Sequence, residues 1–547
     1  MTRDISLMGI LLPHLPILPI LLPMMTGALL LLLRNARHGA RAAFSLLSLS
    51  IQLGVALALM AAADGRLAAW PETIGVYALG NWAAPYGIVL VVDRLAAMMV
   101  TLATVLGTAA FSYSLARWER AGVQFFPLLQ FQLMGLNGAF LTGDLFNLFV
   151  FFEIMLAASY ALTLYSPNTL RVNAGLHYIA VNLLGSLFFL VAAALVYGLT
   201  GTLNMAELPE RVLQLAADDR RLFDLAAAML GIVFLIKAAA WPLNFWLPAA
   251  YANAAPPVGT VFAILTKVGI YALLRMGTLL QENGIAPAPF DGDWLFYCGL
   301  TTVAVGTLGV LSAQKLGRLA AFFVIVSSGT LLTAFGFTGT LLTAPAMFYL
   351  TASVLGCGAF FMLVEIAERD RSQLDDLLAI SLEAFGVKPS HEAEASDEDA
   401  GIPIPAAAAF LGLSFVLCGL VLTGLPPMPG FIGKFAMLGA SLNSLPPAST
   451  WHVGLFIAAM LLSGLAGIIA LSRLGIRIFW DMERQTPRLR WLEAGPVAAL
   501  LLLCIALTLR PEAAMSYFSA ASRALYDVGA YIHAVTPDKT RNEPGRQ

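Results

Sequence analysis

The chain has 547 residues, 59% of them hydrophobic and only 12% charged, with a formal net charge of −2. A soluble domain carries roughly 25% charged residues, so at half that level a soluble body is excluded and lipid is the solvent. The near-neutral balance gives no footing for nucleic acid, and Cys298, Cys357, Cys418 and Cys504 stand far apart in apolar segments, without the spacing of a disulfide or metal framework. The apolar runs are long and continuous, as spanning helices of about 20 residues require. They do not alternate over about 10 residues, as barrel strands do. An all-α polytopic membrane protein is expected.

The opening residues, Met1 to Asp4, do not read as a cleavable signal. The apolar stretch after them is too long and carries Pro13, Pro16, Pro19 and Pro23, which bend a retained first span. Apolar runs between polar breaks then give about fourteen transmembrane helices by the length rule. They fall at 8–33, 42–63, 92–114, 125–142, 146–165, 175–199, 224–248, 257–280, 295–313, 319–340, 344–367, 404–441, 452–475 and 492–509. The twelfth is too long for a straight crossing and has Pro426, Pro427, Pro429 and Gly430 in its middle, so it reads as one broken helix.

Basic residues assign the sides. Arg34, Arg37 and Arg41 follow span 1, Arg117 and Arg120 span 3, and Lys315 and Arg318 span 9; Arg473, Arg477, Arg484, Arg488 and Arg490 follow span 13. All these loops share one side, which the excess of Lys and Arg marks as cytoplasmic. Both termini then face outward, and opposite loops carry acids such as Glu282, Asp291 and Asp293. Residues 203–223 mix apolar and charged side chains and read as an external amphipathic segment; residues 370–400 read as an acidic, solvated cytoplasmic loop. His391 and Glu392 in that loop lack a second histidine at helical spacing, so no metal is expected there. No Walker loop, zinc-helix motif or dinucleotide fingerprint appears, and no cofactor is expected.

Four charges stand inside the apolar helices. A charge at mid-membrane costs about 2.5–3.5 kcal/mol on insertion scales, so each needs a reason. Glu153 lies in span 5, Lys237 midway along span 7, Lys267 in span 8, and Lys434 just after the proline break of span 12. Lys267 could snorkel, but roughly 15 Å to either end at 1.5 Å per residue is a long reach. Glu153 and Lys237 could be a static pair, and Lys434 could lie near the interface. His14 and His177 stand near span ends, where local hydrogen bonding suits them, and Asp144 and Asp93, also at ends, read as structural or gating groups. Taken together, the four charges suit proton transfer: burial strips an amine of its proton and a nearby carboxylate restores it. Pro242, five residues after Lys237, frees a backbone carbonyl at membrane depth, tolerable only beside protein or water. Pro426, Pro427 and Pro429 repeat the device before Lys434. Interrupted helices at matching places in two halves point to an ion path. Spans 4–8 and 9–13 are therefore taken as an inverted repeat of two five-helix units, with helices 7 and 12 broken.

With these residues placed, the chain resembles the antiporter-like membrane subunits shared by respiratory complex I and Mrp-type antiporters. GDLFNLFVFFEIM (143–155), YGLTGTLNM (197–205), KAAAWPLNFWLPAAYANAAPPVG (237–259) and GLPPMPGFIGK (424–434) carry the resemblance. YALGNWAAPYGIVLVVDRL (77–95) points to the D subunit of Mrp, Mnh or Pha antiporters, and a length of 547 residues fits D rather than the longer A subunit. The resemblance implies that Glu153, Lys237, Lys267 and Lys434 match the family's proton-path positions. It also implies a hetero-oligomeric complex with other antiporter subunits in the bacterial cytoplasmic membrane, exchanging Na⁺ or K⁺ for protons. The implied organisation is helices 1–3 over 1–124, five-helix units over 125–280 and 295–475, and helix 14 with an amphipathic tail over 476–547. Members often carry a histidine or lysine in the helix matching 348–363; here there is none, leaving water and hydroxyls such as Thr351 and Ser353 to join the halves. Gly259 replaces a usual serine, and the 370–400 loop looks inserted. Two other readings stay open: a proton-pumping subunit of a redox complex, and a non-conducting scaffold.

Overall fold

The computed structural model describes residues 12–536 apart from 34–36, 68–69, 71–72, 83, 85, 117–123, 166–168, 282–289, 291, 338, 386–405, 444–449 and 480–488. Arg34, Arg117, Arg120, Glu282, Asp291, His391, Glu392, Arg484 and Arg488 lie outside the described residues. A 3₁₀ turn, Leu12–Ile17, opens the first helix, followed in chain order by α1 (Leu18–Leu32), α2 (His38–Ala63), β1 (Gly75–Ala78), β2 (Val89–Val92), α3 (Arg94–Ser114), α4 (Phe125–Leu141) and α5 (Leu145–Thr163). Next come α6 (Thr169–Thr200), α7 (Leu208–Leu213), α8 (Ala217–Ala238), α9 (Leu247–Asn253), α10 (Pro256–Gln281), α11 (Gly292–Ser312), α12 (Leu316–Phe335) and α13 (Thr340–Phe385). The chain continues with α14 (Ala406–Thr423), α15 (Pro429–Asn443), α16 (Thr450–Phe479), α17 (Trp491–Leu509), α18 (Pro511–Tyr526) and α19 (Val528–Val535).

Among the described residues, 12 helices are long and apolar enough to cross a membrane. Two expected spans depart from that standard. Span 125–142 is α4, only 17 residues long, and span 224–248 is divided between α8 and α9. The amphipathic segment expected over 203–223 is also divided: 208–213 forms α7, and the charges from Asp218 to Arg221 form the first turn of α8. The expected loop 370–400 begins as helix, since α13 continues to Phe385. Leu374, Leu377 and Leu378 recur there at helical spacing among good helix formers.

The chain is not wholly helical. β1 and β2 pair antiparallel, Gly75 opposite Val92 and Ala78 opposite Val89. The valine-rich run Val89–Val92 fits a pleated, buried strand, and the Val89 carbonyl accepts from the Gly143 N–H at 2.9 Å, tying the hairpin to the start of α5.

Two helices, α10 and α13, form the centre. Residues Pro257 to Leu280 of α10 are all buried, as expected of a helix apolar on every side, and α10 packs on α3, α8, α12 and α13. At one end of the bundle Arg473 of α16 donates through Nη2 to the Leu311 and Ala313 carbonyls at the end of α11, at 2.7 and 2.8 Å, and Arg490 Nη1 donates to the Ala116 carbonyl just after α3 at 2.7 Å. At the opposite end the start of α3 meets the end of α10, where Arg275 pairs with Asp93.

Candidate functional site

Both broken helices end in the same way. Ala239 takes a left-handed conformation (φ 55°) after α8; its N–H donates to the Ile236 carbonyl at 3.1 Å, and the Ala240 N–H to Leu235 at 3.0 Å. Gly424 (φ 78°) follows α14, with the Leu425 N–H donating to the Leu420 carbonyl at 2.9 Å. These caps satisfy carbonyls that would otherwise be orphaned within the membrane. Pro242 lies in the turn between α8 and α9, where the Trp241 N–H donates to Thr302 Oγ1 of α11 at 2.9 Å. Pro426 and Pro427 lie in the second break, and Pro429 opens α15, a position that needs no N–H.

Each intramembrane charge is held by a specific partner. Lys237, in the last turn of α8 and 6% exposed, donates to Asn182 Oδ1 of α6 at 3.1 Å. Its Nζ also lies 5.5 Å from the centroid of the Phe152 ring on α5. Glu153, beside Phe152, accepts from Ser186 Oγ of α6. Asn182 and Ser186 are one helical turn apart, so α6 carries a polar line from the carboxylate to the amine. Among the described residues no ion pair joins Glu153 to Lys237 directly. The line continues one turn back to Tyr178, whose hydroxyl bonds Ser159 Oγ at 2.6 Å.

Lys267 is 1% exposed and donates to Ser328 Oγ of α12 at 3.0 Å. Its helix meets the end of α8 at Gly269, where any Cβ would collide with the Phe234 carbonyl oxygen. Glycine here permits that backbone approach. Ser327, next to Ser328, bonds Ser353 Oγ of α13 at 3.1 Å. Lys434, 7% exposed, donates to the Thr423 carbonyl at 2.8 Å, a backbone acceptor at the break itself. A cavity of about 240 Å³ lined by Gly424, Phe431, Met460 and Gly464 adjoins it.

The accessory residues fall elsewhere. Asp144 caps α5, accepting from the Asn147 N–H at 2.9 Å, and burial raises its carboxyl above the usual carboxylate range. His177 is exposed, with Nδ1 and the Asn173 carbonyl 2.9 Å apart within its own helix. The Thr351 hydroxyl donates to the Met347 carbonyl at 3.0 Å and faces Met98 Sδ at 3.9 Å. Of the two hydroxyls expected to join the halves, only Ser353 reaches the Lys267 surroundings. Asn182, Ser186 and Ser328 escape a reading of the sequence because neutral polar residues raise no charge alarm. Asn182 and Ser186 at i, i+4 within an apolar span are the available signal.

Lysines at two broken helices of a many-helix bundle are the construction of an ion transporter rather than an enzyme. Residues 142–382 match the family described as NADH:quinone oxidoreductase/Mrp antiporter, transmembrane. The chain is 47% identical over 518 residues, 93% of its length and 95% of the other's, to the D subunit of a probable K(+)/H(+) antiporter from Rhizobium meliloti. It is 32% identical over 536 residues, 95% of its length and 99% of the other's, to the D subunit of the Na(+)/H(+) antiporter from Alkalihalophilus pseudofirmus. The fold resembles a chain of the Mrp complex from Dietzia sp., with TM-score 0.78, 24% identity, and coverage of 96% of this chain and 99% of that one. A chain of the archaeal membrane-bound sulfane sulfur reductase gives TM-score 0.78 at 23% identity, covering 96% and 100%. This chain belongs to the D-subunit family of multisubunit cation/proton antiporters.

Proposed function

We propose that this chain is the proton-translocating subunit of a hetero-oligomeric monovalent cation/proton antiporter of the bacterial cytoplasmic membrane, with both termini outward. The line Glu153–Ser186–Asn182–Lys237 carries the reading. A carboxylate and an amine separated by two hydrogen-bonding side chains can exchange influence over a proton without forming a locked pair. From Lys237 the proton passes to Lys267 across the α8–α10 contact. It then crosses by Ser328, Ser327 and Ser353 with intervening water toward Lys434. The two halves act as five-helix units related by inversion, each with its lysine at a break.

The cation is K⁺ or Na⁺. The 47% identical relative named for K⁺ favours K⁺ over the Na⁺ of the 32% relative. Everted vesicles bearing the whole complex test this: added K⁺ or Na⁺ collapses an imposed pH gradient. Substitution of Glu153 or Lys237 by Ala abolishes that collapse. Quinone-linked pumping without any cation response would assign the chain to a redox complex instead, a reading the sulfane sulfur reductase fold keeps in view. Intact antiport in both variants would leave it a scaffold.

A further inference from the structure

A second buried charge cluster lies outside that relay. Arg275 Nη2 and Asp93 Oδ2 are 2.6 Å apart, with side chains only 6% and 5% exposed. Arg275 stands two turns beyond Lys267 on α10, about 12 Å at 1.5 Å per residue. Between them is Tyr271, whose hydroxyl donates to the Phe140 carbonyl at 2.7 Å and accepts from Arg275 Nη2 at 3.3 Å. Lys267, Tyr271 and Arg275, at i, i+4 and i+8, occupy adjoining turns of the helix. The guanidinium carbon lies 5.5 Å from the Tyr271 ring centroid and 5.3 Å from that of Tyr531.

Tyr531 comes from the C-terminal helix α19, which covers the pair. Helix α18, just before it, is anchored at the same end. The Tyr517 hydroxyl donates to the Arg94 carbonyl at 2.8 Å, and the Tyr526 hydroxyl accepts from the Gly339 N–H at 3.1 Å. Asp93 has two engagements, since Oδ1 also caps α3 by accepting from the Ala96 N–H at 2.8 Å. Other groups facing the pair are Tyr517 on α18 and, beyond it, Arg94, Asp64 and Arg66. Asp64 pairs with Arg66 at 2.8 Å and with Arg94 at 3.5 Å.

A buried ion pair is a poor staple, because apolar residues of the same volume hold helices without desolvating two charges. A fixed guanidinium across a pathway does something apolar residues cannot: it repels protons and cations. We propose that Asp93 and Arg275, covered by Tyr531, form the external gate of the Lys267 proton path, a role that rests on the proton-path reading and orientation above. In the closed state the Arg275 charge bars passage and Asp93 holds it in place. Opening the gate means breaking that pair. The guanidinium then moves toward water and uncovers Tyr271.

The test uses everted vesicles carrying the full complex, with pH set separately in the lumen (the former external side) and in the bath. The double variant Asp93→Ser/Arg275→Met keeps an N-cap oxygen for the Ala96 N–H and removes both charges. It is expected to leak protons several-fold faster than wild type without added cation, and Lys267→Ala in the same background should abolish that leak. Asp93→Asn alone retains the cap but leaves Arg275 uncompensated. Its expected effect has the same direction as the double variant's: with the carboxylate's hold gone, Arg275 is released and protons leak several-fold faster than wild type, again only while Lys267 is present. An assembled double variant with wild-type leak overturns the gate, as does a leak that survives Lys267→Ala. If the double variant fails to assemble, Tyr531→Ala strips the cover without touching the pair; an increased leak supports the gate and an unchanged one overturns it. Full antiport in Lys267→Ala alone would instead sink the proton-path reading on which the gate depends.

Discussion

The two broken helices use one backbone device to hold their lysines differently. Lys237 precedes its break and is held by Asn182, a side chain on another helix. Lys434 follows its break and is held by the Thr423 carbonyl, which the break itself exposes. The first arrangement depends on packing between α6 and α8; the second is nearly intrinsic to the α14–α15 segment. Lys434 also borders a largely apolar cavity of about 240 Å³, whose lining includes the exposed Phe435, Leu461 and Leu465. The first-half amine is thus positioned by its neighbours, and the second-half amine by its own chain.

Deleting the amine itself should have the largest effect. Lys237→Ala is expected to lower cation-dependent antiport about a hundredfold, the scale of a lost proton-transfer group, measured as gradient collapse in everted vesicles. Antiport within a few-fold of wild type would remove Lys237 from the path. Next comes the partner on the other helix. Asn182→Leu takes away the acceptor for a buried ammonium, worth about 1.5–3 kcal/mol, and should slow antiport about tenfold. The matching change in the second half, Thr423→Val, removes only a hydroxyl that donates to the Gly419 carbonyl at 2.7 Å. The backbone acceptor of Lys434 survives, so antiport should stay within about twofold, since no bond to the charge is lost. Equal losses in Asn182→Leu and Thr423→Val would erase the contrast between the halves.

The charged residues of the proposed path are legible in the sequence because a charge among apolar residues is conspicuous in one dimension. Proline marks both breaks, although the first helix ends at Ala238, well before Pro242, on a left-handed alanine that no composition rule announces. Arg275 is inconspicuous because it stands near the end of its span, where a basic residue ordinarily snorkels. Its pairing with Asp93 joins residues 182 positions apart, a contact that periodicity cannot express. The β1–β2 hairpin is hidden for another reason: strands of 4 residues give too short an alternation to register. The direct Glu153–Lys237 approach gives way to a bridged one because Ser186 and Asn182, both uncharged, occupy the intervening face of α6.

The smallest effects separate the two caps themselves. Gly424 at φ 78° is where glycine is favoured, and a Cβ there would lie 2.6 Å from Lys434 Cδ. Gly424→Ala should therefore cost about 1 kcal/mol in backbone strain and push the lysine from the Thr423 carbonyl. Ala239 at φ 55° already bears that backbone strain, and its side chain is fully buried. Ala239→Gly relieves about 1 kcal/mol of left-handed strain but adds glycine's unfolded-state entropy, about 0.5–1 kcal/mol in the other direction. Losing the buried methyl takes away about 0.8 kcal/mol more, so the net change should be a destabilisation under about 1 kcal/mol, with thermal stability of the purified complex within a few degrees of wild type. Antiport should also be unchanged, because Lys237 is held from α6 and not by the cap. If Ala239→Gly slowed antiport as much as Gly424→Ala, the first-half lysine would depend on its break as the second-half one does.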